Sequence, residues 1–152
     1  MLPTALRPVG PCPANIMIVG EFPSEADTNT GMIFCGYGPG AELGRMLQDA
    51  GILKSSCFQT AFLRERPSRG DVSSVIAQKK ADIQPGFVIV RDKHVAPSVA
   101  KALELLSREI ELCRPSVIIA LGNAAMWALT GEWGITSWRG SVLQSDLPLS
   151  LE

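Results

Sequence analysis

Residues 20–27 hold the acidic side chains best placed to do chemistry. They read Gly-Glu-Phe-Pro-Ser-Glu-Ala-Asp and follow the short apolar run of residues 16–19, so they predict a tight turn with carboxylates at a strand end. The turn is not a phosphate-binding P-loop, because no Gly-Lys-Ser/Thr follows, and it lacks the dinucleotide-binding glycine pattern. Taken alone, these residues also fit a polar surface loop.

Basic side chains are concentrated in a second segment. Between residues 61 and 94 the chain has seven Lys or Arg and four Asp or Glu, although the whole chain has a formal net charge of −1. Arg64, Arg66 and Arg69 fall within six positions of one another. On charge alone a solvated loop is the favoured interpretation, and the near-neutral balance does not by itself indicate a nucleic-acid-binding protein.

The remaining reactive side chains give weaker signals. His94 is the single histidine and stands beside Arg91 and Lys93 with no identifiable orienting partner, so we expect a surface or phosphate-side residue and not a general base. The four cysteines are far apart and include no Cys-x-x-Cys pair, so they suggest neither a zinc ribbon nor a redox motif. Cys57 and Cys113 adjoin predicted strands, and we expect both to be small core residues in a chain that needs no disulfide.

Hydrophobic periodicity predicts the elements that position these side chains. Short apolar runs are typical of buried parallel strands, and apolar residues at 3.6-residue spacing are typical of helices packed on a sheet. Their alternation predicts an α/β fold: one three-layer α/β/α domain over residues 1–152, with a short central parallel sheet of about four strands. The predicted strands are residues 16–19, 57–63, 117–121 and a last one beginning at 141–143, with a small extra strand at 87–90; the predicted helices are residues 41–50, 97–112 and 124–130.

The predicted sheet gives the motif segments a common location. Ligands of parallel α/β sheets bind beyond the carboxyl ends of the strands, which places residues 20–27, 60–69 and 122–123 along one rim. The composition, 46% apolar and 19% charged, is that of a folded chain. No apolar run is long enough to span a bilayer and residues 1–13 do not form a secretory signal, so we expect no membrane partner and a cytoplasmic location.

Six segments, in order along the chain, are similar to the motifs of one family. They are residues 20–24 (similar to Gly-Glu-Ala-Pro-Gly), 31–36 (Gly-x-Pro-Phe-Val-Gly), the helix 42–47, 60–67 (Thr-Asn-x-x-x-Cys-Arg-Pro), 109–122 (Glu-Leu-x-x-x-Arg-Pro-x-Val-Ile-x-Ala-Leu-Gly) and 139–140 (Arg-Gly). From Ile16 to about Leu143 the chain thus resembles uracil-DNA glycosylases of the family-four and family-five type. Residues 124–131, with Trp133 and Trp138, look most like the phage-borne branch linked to phage DNA polymerases.

The resemblance implies a function for several residues. Such enzymes take a base out of the stack into a pocket on this rim and hydrolyse its glycosidic bond. Glu21 would position or activate the water, Phe34 would stack on the base, and backbone N–H groups of residues 20–24 would bind the base oxygens. The implied base pocket comprises Gly20, Phe22, Pro23, Ser24, Phe34 and Ala61, and the implied DNA contacts are Arg64, Arg66, Arg69, Trp138 and Arg139. Trp127, in contrast, is expected to pack in the core or at an interface.

Three departures from the family pattern bear on activity. Ala61 stands where the family reads the uracil edge with an asparagine, so we expect edge discrimination to be lost there. The late His-Pro-Ser/Thr motif is absent, and His94 does not match it. The iron–sulfur cysteines of the family are missing, with Glu65 in place of one, so we expect no iron–sulfur cluster and no other cofactor.

The sequence leaves more than one function open. One is a DNA glycosylase that excises uracil or another base; the other is a non-catalytic DNA-binding or DNA-polymerase-accessory module that keeps the fold. DNA is the expected partner of both, a DNA polymerase is a second partner, and the location is the host cytoplasm if a phage encodes the chain. A third interpretation, a C-terminally truncated chain with an incomplete last strand, predicts a homodimer through an exposed sheet edge.

Overall fold

Short apolar runs form the strands, and longer amphipathic segments form the main helices. The computed structural model describes residues 6–36 and 38–148. In this part of the chain the strands are β1 (Ile16–Gly20), β2 (Phe58–Ala61), β3 (Val88–Val90), β4 (Lys93–Val95) and β5 (Val117–Ala120). The helices are α1 (Glu25–Thr30), α2 (Pro39–Asp49), α3 (Pro97–Cys113), α4 (Asn123–Thr130) and α5 (Ile135–Trp138), and short 3-10 turns lie at residues 54–56, 68–70, 72–74 and 80–82.

The central sheet is parallel, with the strand order β2-β1-β5. In the middle strand, Val19 is aligned with Thr60 on one side and with Ala120 on the other. Residues 17–20 are buried, as expected for an apolar strand covered on both faces. The predicted α/β fold is confirmed, with three strands in the central sheet where the sequence predicts about four.

The predicted last strand at residues 141–143 is not formed. Val142 is 99% exposed, and the chain passes the end of α4, where Asp146 N donates to Leu129 O at 2.7 Å. Leu147 then packs into the main core cluster. The prediction is wrong because the bond to α4 and the burial of Leu147 hold the chain beside α4, so β5 pairs only with β1 within the described residues.

Helices cover both faces of the central sheet. Met17 and Val19 belong to one apolar cluster, which includes the apolar stripe of α3 and most of α4. Ile18 belongs to another cluster, with Leu43 and Leu47 of α2. Because successive strand residues point to opposite faces, these clusters are the two sides of the sheet and give the three predicted layers. Within residues 6–36 and 38–148, no helix is long and apolar enough to cross a bilayer.

The chain before β1 is held to the rest of the molecule by backbone hydrogen bonds and by a disulfide. Val9 exchanges two backbone hydrogen bonds with Gln59 of β2, at 3.0 and 2.7 Å, and Cys12 forms a disulfide with Cys113 at the end of α3. The expectation that Cys113 is a core residue without a disulfide is therefore wrong in part. It is buried but bonded, because the returning N-terminal segment brings Cys12 beside it. Cys57 is free and buried, as predicted.

The predicted extra strand at residues 87–90 is present as β3, in an antiparallel hairpin with β4 outside the central sheet. Its turn residues Arg91 and Asp92 have positive φ, as two-residue hairpin turns of this kind require. Arg91 donates to Trp127 O at 3.1 Å, which holds the hairpin against α4. Trp127 is 1% exposed and meets Phe62 edge-to-face at a centroid distance of 6.1 Å, so its predicted place in the core is confirmed.

Helix α1 is absent from the elements predicted by periodicity. Ser24 and Asp27 form a capping box at its start: Asp27 N donates to Ser24 Oγ and Ser24 N donates to Asp27 Oδ2, both at 3.1 Å. Six residues are too few to establish a helical pattern. The Ser-x-x-Asp spacing is the local signal that indicates this helix.

Candidate functional site

The carboxyl ends of the three parallel strands bring the predicted rim segments together. Phe62 N donates to Gly20 O at 2.8 Å and Leu63 N donates to Glu21 O at 2.9 Å, so the chains after β1 and β2 remain paired beyond the strands. From the side of β5, Ala124 N in the first turn of α4 reaches the side chain of Glu21. The loops after β1, β2 and β5 therefore share one rim, as the sequence predicts.

Glu21 is the acid at the centre of this rim. Its Oε2 accepts a hydrogen bond of 2.8 Å from Ala124 N, so the carboxylate caps α4, whose N-cap residue Gly122 has no side chain to do so. Gly122 has φ +98° and ψ 169°, a conformation that favours glycine, and a Cβ atom there would displace the Glu21 carboxyl group. The side chain is half-buried, and Oε1 has no hydrogen-bond partner among the described residues. One oxygen is thus fixed, and the other can bind water.

Phe34 packs against the start of the loop that carries Glu21. A Cβ atom on residue 20 would lie 2.9 Å from Phe34 Cζ, so the missing side chain of Gly20 lets the ring approach the backbone of this loop. Lys54 Nζ donates to the Phe34 carbonyl oxygen at 2.8 Å and holds the segment. The aromatic ring is therefore close to the acidic loop, in the place where a stacking residue is expected.

Ala61 lies in a closed apolar cluster. It is 0% exposed and packs with Leu6 and Ile33, which are 6% and 1% exposed, and with Phe34. Leu6 comes from the N-terminal segment, which also pairs with β2. The side chain at position 61 is therefore cut off from solvent, and its apolar neighbours offer no hydrogen bond to the edge of a base.

Asp27 connects the acidic loop to the segment of Phe34. Its Oδ1 accepts a hydrogen bond from Cys35 N and its Oδ2 accepts one from Ser24 N, each at 3.1 Å. Burial raises the pKa of Asp27, but the hydrogen bonds from Cys35 and Ser24 outweigh it and hold the pKa below its ordinary value of 3.8. The charged carboxylate therefore fixes the residue after Phe34 to the loop of Glu21.

Two arginines of the basic segment differ in their surroundings. Arg64 forms an ion pair with Glu109 of α3, which also accepts a hydrogen bond of 3.2 Å from Thr60 Oγ1. Burial raises the pKa of Glu109, although Arg64 and the hydrogen bonds act in the opposite direction. Arg69 is exposed in a short turn, with φ +58°. The charge of Arg64 is thus paired with that of Glu109 inside the protein, whereas the guanidinium of Arg69 is exposed to solvent.

Arg66 joins the basic segment to the acidic loop. Its guanidinium lies over the ring of Phe22, 5.4 Å from the centroid, and its Nη1 donates to Pro23 O at 3.3 Å. Pro23 is buried and Phe22 is half-buried, while Arg66 itself is exposed. Arg66 therefore braces the loop that carries Glu21 and keeps a cationic surface toward solvent.

Asn123 connects the segment of Trp138 and Arg139, two of the predicted DNA contacts, to the rim. Its Oδ1 accepts hydrogen bonds from Gly134 N at 3.1 Å and from Ile135 N at 2.6 Å, so the start of α5 is fixed to the start of α4. Helix α5 ends at Trp138, which is half-buried, and the following Arg139 is exposed. Trp138 and Arg139 therefore lie at the far end of the four-residue helix α5, whose start is fixed by Asn123.

Two supporting residues, Asp27 and Glu109, are not identified by the sequence as parts of the site. The capping-box spacing indicates Asp27. Glu109 is the first residue of the motif segment 109–122, but no local pattern indicates its ion pair, because it meets Arg64, 45 residues earlier, only when α3 packs beside the chain after β2. His94, in contrast, lies on β4 of the hairpin, which is separate from the central sheet.

The cysteines of the chain do not fit an iron–sulfur cluster. Such clusters are bound by four cysteine thiolates or, in some cases, by cysteine and histidine. Cys12 and Cys113 are bonded to each other, and Cys35 and Cys57 are free. In residues 6–36 and 38–148, no three His, Cys, Asp or Glu side chains come together to hold a metal ion.

A family model described as the uracil DNA glycosylase superfamily matches residues 7–150. The matched range contains all three strands of the central sheet, the acidic loop after β1 and the basic segment after β2. The parallel sheet with Glu21 at its rim agrees with this match. The chain therefore belongs to the uracil DNA glycosylase superfamily.

Proposed function

We propose that the protein hydrolyses the N-glycosidic bond of uracil or another base in DNA, and that Glu21 positions the attacking water. The observation that carries this proposal is the Glu21 carboxylate, held at Oε2 by Ala124 N at 2.8 Å on the rim where parallel α/β sheets bind ligands. The Phe34 ring, packed against Gly20 of the same loop, is close enough to offer a stacking surface for a base.

The proposed reaction breaks the bond between C1′ of the deoxyribose and the base nitrogen, and the electron pair leaves with the base. The oxygen of a water molecule bonds to C1′, and the proton it loses passes through Glu21 to solvent or to the departing base. The products are the free base and an abasic site. A fixed carboxylate at this position also stabilises the positive charge that develops on the sugar.

We also propose that the base is selected mainly by backbone groups and by shape. Ala61 supplies no hydrogen bond, and a site that lacks a polar partner discriminates poorly between related ligands. The N–H groups of Glu21 and Phe22 are then the donors for base oxygens, because Pro23 has no N–H and Ser24 N already donates to Asp27 Oδ2. Excision of more than one kind of base is the expected consequence.

A non-catalytic DNA-binding module, alone or beside a DNA polymerase, is the second candidate. In such a module the closed apolar surroundings of Ala61 would leave the edge of a base without a side-chain partner. The formal net charge of −1 is compatible with modest DNA affinity that a tethering partner would reinforce.

The decisive experiment measures release of uracil from labelled single- and double-stranded oligonucleotides, detected as strand breaks at abasic sites after alkaline treatment. Glu21→Gln keeps an acceptor for Ala124 N but removes the charge, and we expect it to lower the rate about 100-fold or more. The matched control is Glu42→Gln, an exposed glutamate of α2, which should leave the rate unchanged.

The same assay, run beside a gel-shift measurement of DNA binding, separates the two candidates. DNA binding by the wild type without release of uracil, hypoxanthine or xanthine would favour the non-catalytic module. A wild-type rate in Glu21→Gln would show that this carboxylate has no part in the reaction.

A further inference from the structure

A groove beside the rim has no part in the proposed reaction. It lies between residues 63–68, which follow β2, and the first half of α3, and its volume is about 400 Å³. Sites for small molecules usually measure about 300–1,000 Å³. The groove is therefore large enough for one nucleotide but not for a duplex.

The walls of the groove combine cationic and apolar side chains. Arg66 contributes from the loop and Lys101 contributes from α3, and both are exposed. The apolar surface comes from α3 and from the chain before β3, and includes Val75, Ala102 and Leu105, of which Leu105 is 39% exposed. Cations bind phosphate and an apolar surface binds the face of a base, so these walls are complementary to a nucleotide.

The other charges at the groove do not cancel this complementarity. Arg64 also lines it, but its charge is paired with Glu109. Glu65 is the one acid among the lining residues of the described chain, and it is exposed. Arg66 and Lys101 together outweigh it by one positive charge.

Arg66 connects the groove to the acidic loop. The side chain that lines the groove is the same one that lies over Phe22 and donates to Pro23 O. Leu63, also in the lining, donates its N–H to Glu21 O at 2.9 Å. Two lining residues of the groove thus contact the loop at which the target base is proposed to bind.

We infer that this groove binds the nucleotide adjacent to the target base on the same DNA strand, with its phosphate between Arg66 and Lys101 and its base against Leu105. The inference rests on the proposed function, in which the target base lies beside Glu21. A base bound in this groove is turned out of the stack, so the arrangement favours single-stranded or locally unpaired DNA.

The test measures binding, so that it does not depend on catalysis. Single-stranded oligonucleotides carry a tetrahydrofuran abasic analogue flanked by zero to four nucleotides on one side or the other, with a fluorescent label at the far end. Affinity is read by fluorescence anisotropy. For the wild type we expect the affinity to rise roughly tenfold, in one step, when the first nucleotide is added on one of the two sides of the analogue.

Two groove variants and one matched control are compared. Lys101→Glu and Leu105→Ser should each remove most of the step. Lys101→Glu should also make the slope of log affinity against log salt concentration shallower by about 0.7. Arg45→Glu makes the same charge change at an exposed residue of α2 that is outside the groove. It should keep the step, even if overall affinity falls.

The results separate the groove from the reaction. Equal steps in the wild type, Lys101→Glu and Arg45→Glu would overturn the inference, as would a wild type with no step or no binding. Micromolar competition by free thymidine 5′-monophosphate would also overturn it, in favour of a free-nucleotide site. A step that is lost in Lys101→Glu, together with no base excision by the wild type, would support the groove and reject the proposed reaction. Base excision by a wild type that shows no step would support the reaction and reject the groove.

Discussion

Two adjoining corners of the rim, at the ends of β1 and β2, differ in what surrounds them. In the Glu21 corner the neighbours are backbone groups, the N–H of Ala124 and the bare Cα of Gly122. In the Ala61 corner the neighbours are apolar side chains from the N-terminal segment and from the chain between α1 and α2. The corners are adjacent because Gly20 and Ala61 are aligned across the sheet.

The difference separates proposed chemistry from base recognition. A carboxylate held by a backbone N–H keeps its position and, on an open rim, still has access to water. A buried alanine contributes to packing and offers no hydrogen bond to a base. One corner is therefore suited to the proposed hydrolysis, while the other is not suited to reading the edge of a base.

The largest expected effect comes from Ala61→Asn, which places an amide in the closed corner. The added atoms overfill the space beside Leu6 and Ile33 and find no polar partner there, so we expect the free energy of unfolding to fall by about 2–4 kcal/mol. Urea denaturation measures this loss. At exposed Ala50 the same substitution should cost about 0.5 kcal/mol or less.

A contrary result would change the comparison. If Ala61→Asn were as stable as the wild type and discriminated better between uracil and other bases, the Ala61 corner would have to be open to the rim.

A smaller effect is expected from Gly122→Ala, which tests the Glu21 corner. The matched control is the same substitution in a Glu21→Ala background, where residue 122 keeps its φ of +98° and ψ of 169° but no carboxylate lies against an added Cβ atom. The backbone strain is thus the same in both backgrounds, and only with Glu21 present does the substitution also displace the carboxylate from Ala124 N. We expect Gly122→Ala to lower the free energy of unfolding by about 1–2 kcal/mol more with Glu21 present than without it, and to lose base excision.

The comparison would fail at this point if Gly122→Ala cost the same free energy of unfolding in both backgrounds and left base excision intact when Glu21 is present. The Glu21 carboxylate would then not rest against residue 122, and the backbone surroundings of this corner would have to be rejected.

The smallest effect is expected from Asp27→Asn, which loosens the connection between the loop of Glu21 and the ring of Phe34. One carboxylate oxygen becomes an amide NH2 group, which cannot accept a hydrogen bond. Either the bond from Ser24 N or the bond from Cys35 N is therefore lost, and we expect a loss of about 1 kcal/mol near neutral pH. The pKa of Asp27 in the folded state lies below its ordinary 3.8, so the stabilisation is present above that pH and is lost as the pH falls through the folded-state pKa.

Urea denaturation of the wild type and Asp27→Asn over a series of pH values checks this sign. The stability difference should be largest near neutral pH and should shrink in acid. A difference that stays constant or grows below the ordinary pKa of 3.8 would show that the Asp27 carboxylate is not stabilised by these hydrogen bonds.

Elements with long or strongly apolar patterns could be predicted closely, and short ones could not. The helix predicted at residues 97–112 is observed as Pro97–Cys113, because its apolar stripe covers several turns. The segment 141–143 contains apolar residues, as a strand does. Its path is nevertheless decided by the hydrogen bond from Asp146 N to Leu129 O and by the burial of Leu147. Three residues carry too little periodicity to resist such contacts.

By itself the sequence determined the alternation of strands and helices, the common rim of the motif segments and the family. These depend on burial patterns and motifs that are local in the chain. Only the tertiary structure decided that Glu21 caps a helix 103 residues later, that Leu6 helps to close the cluster around Ala61 and that Arg64 is paired with Glu109. The reason is physical: the partner of a side chain depends on which distant segments meet when helices and strands pack, and no local pattern records that meeting.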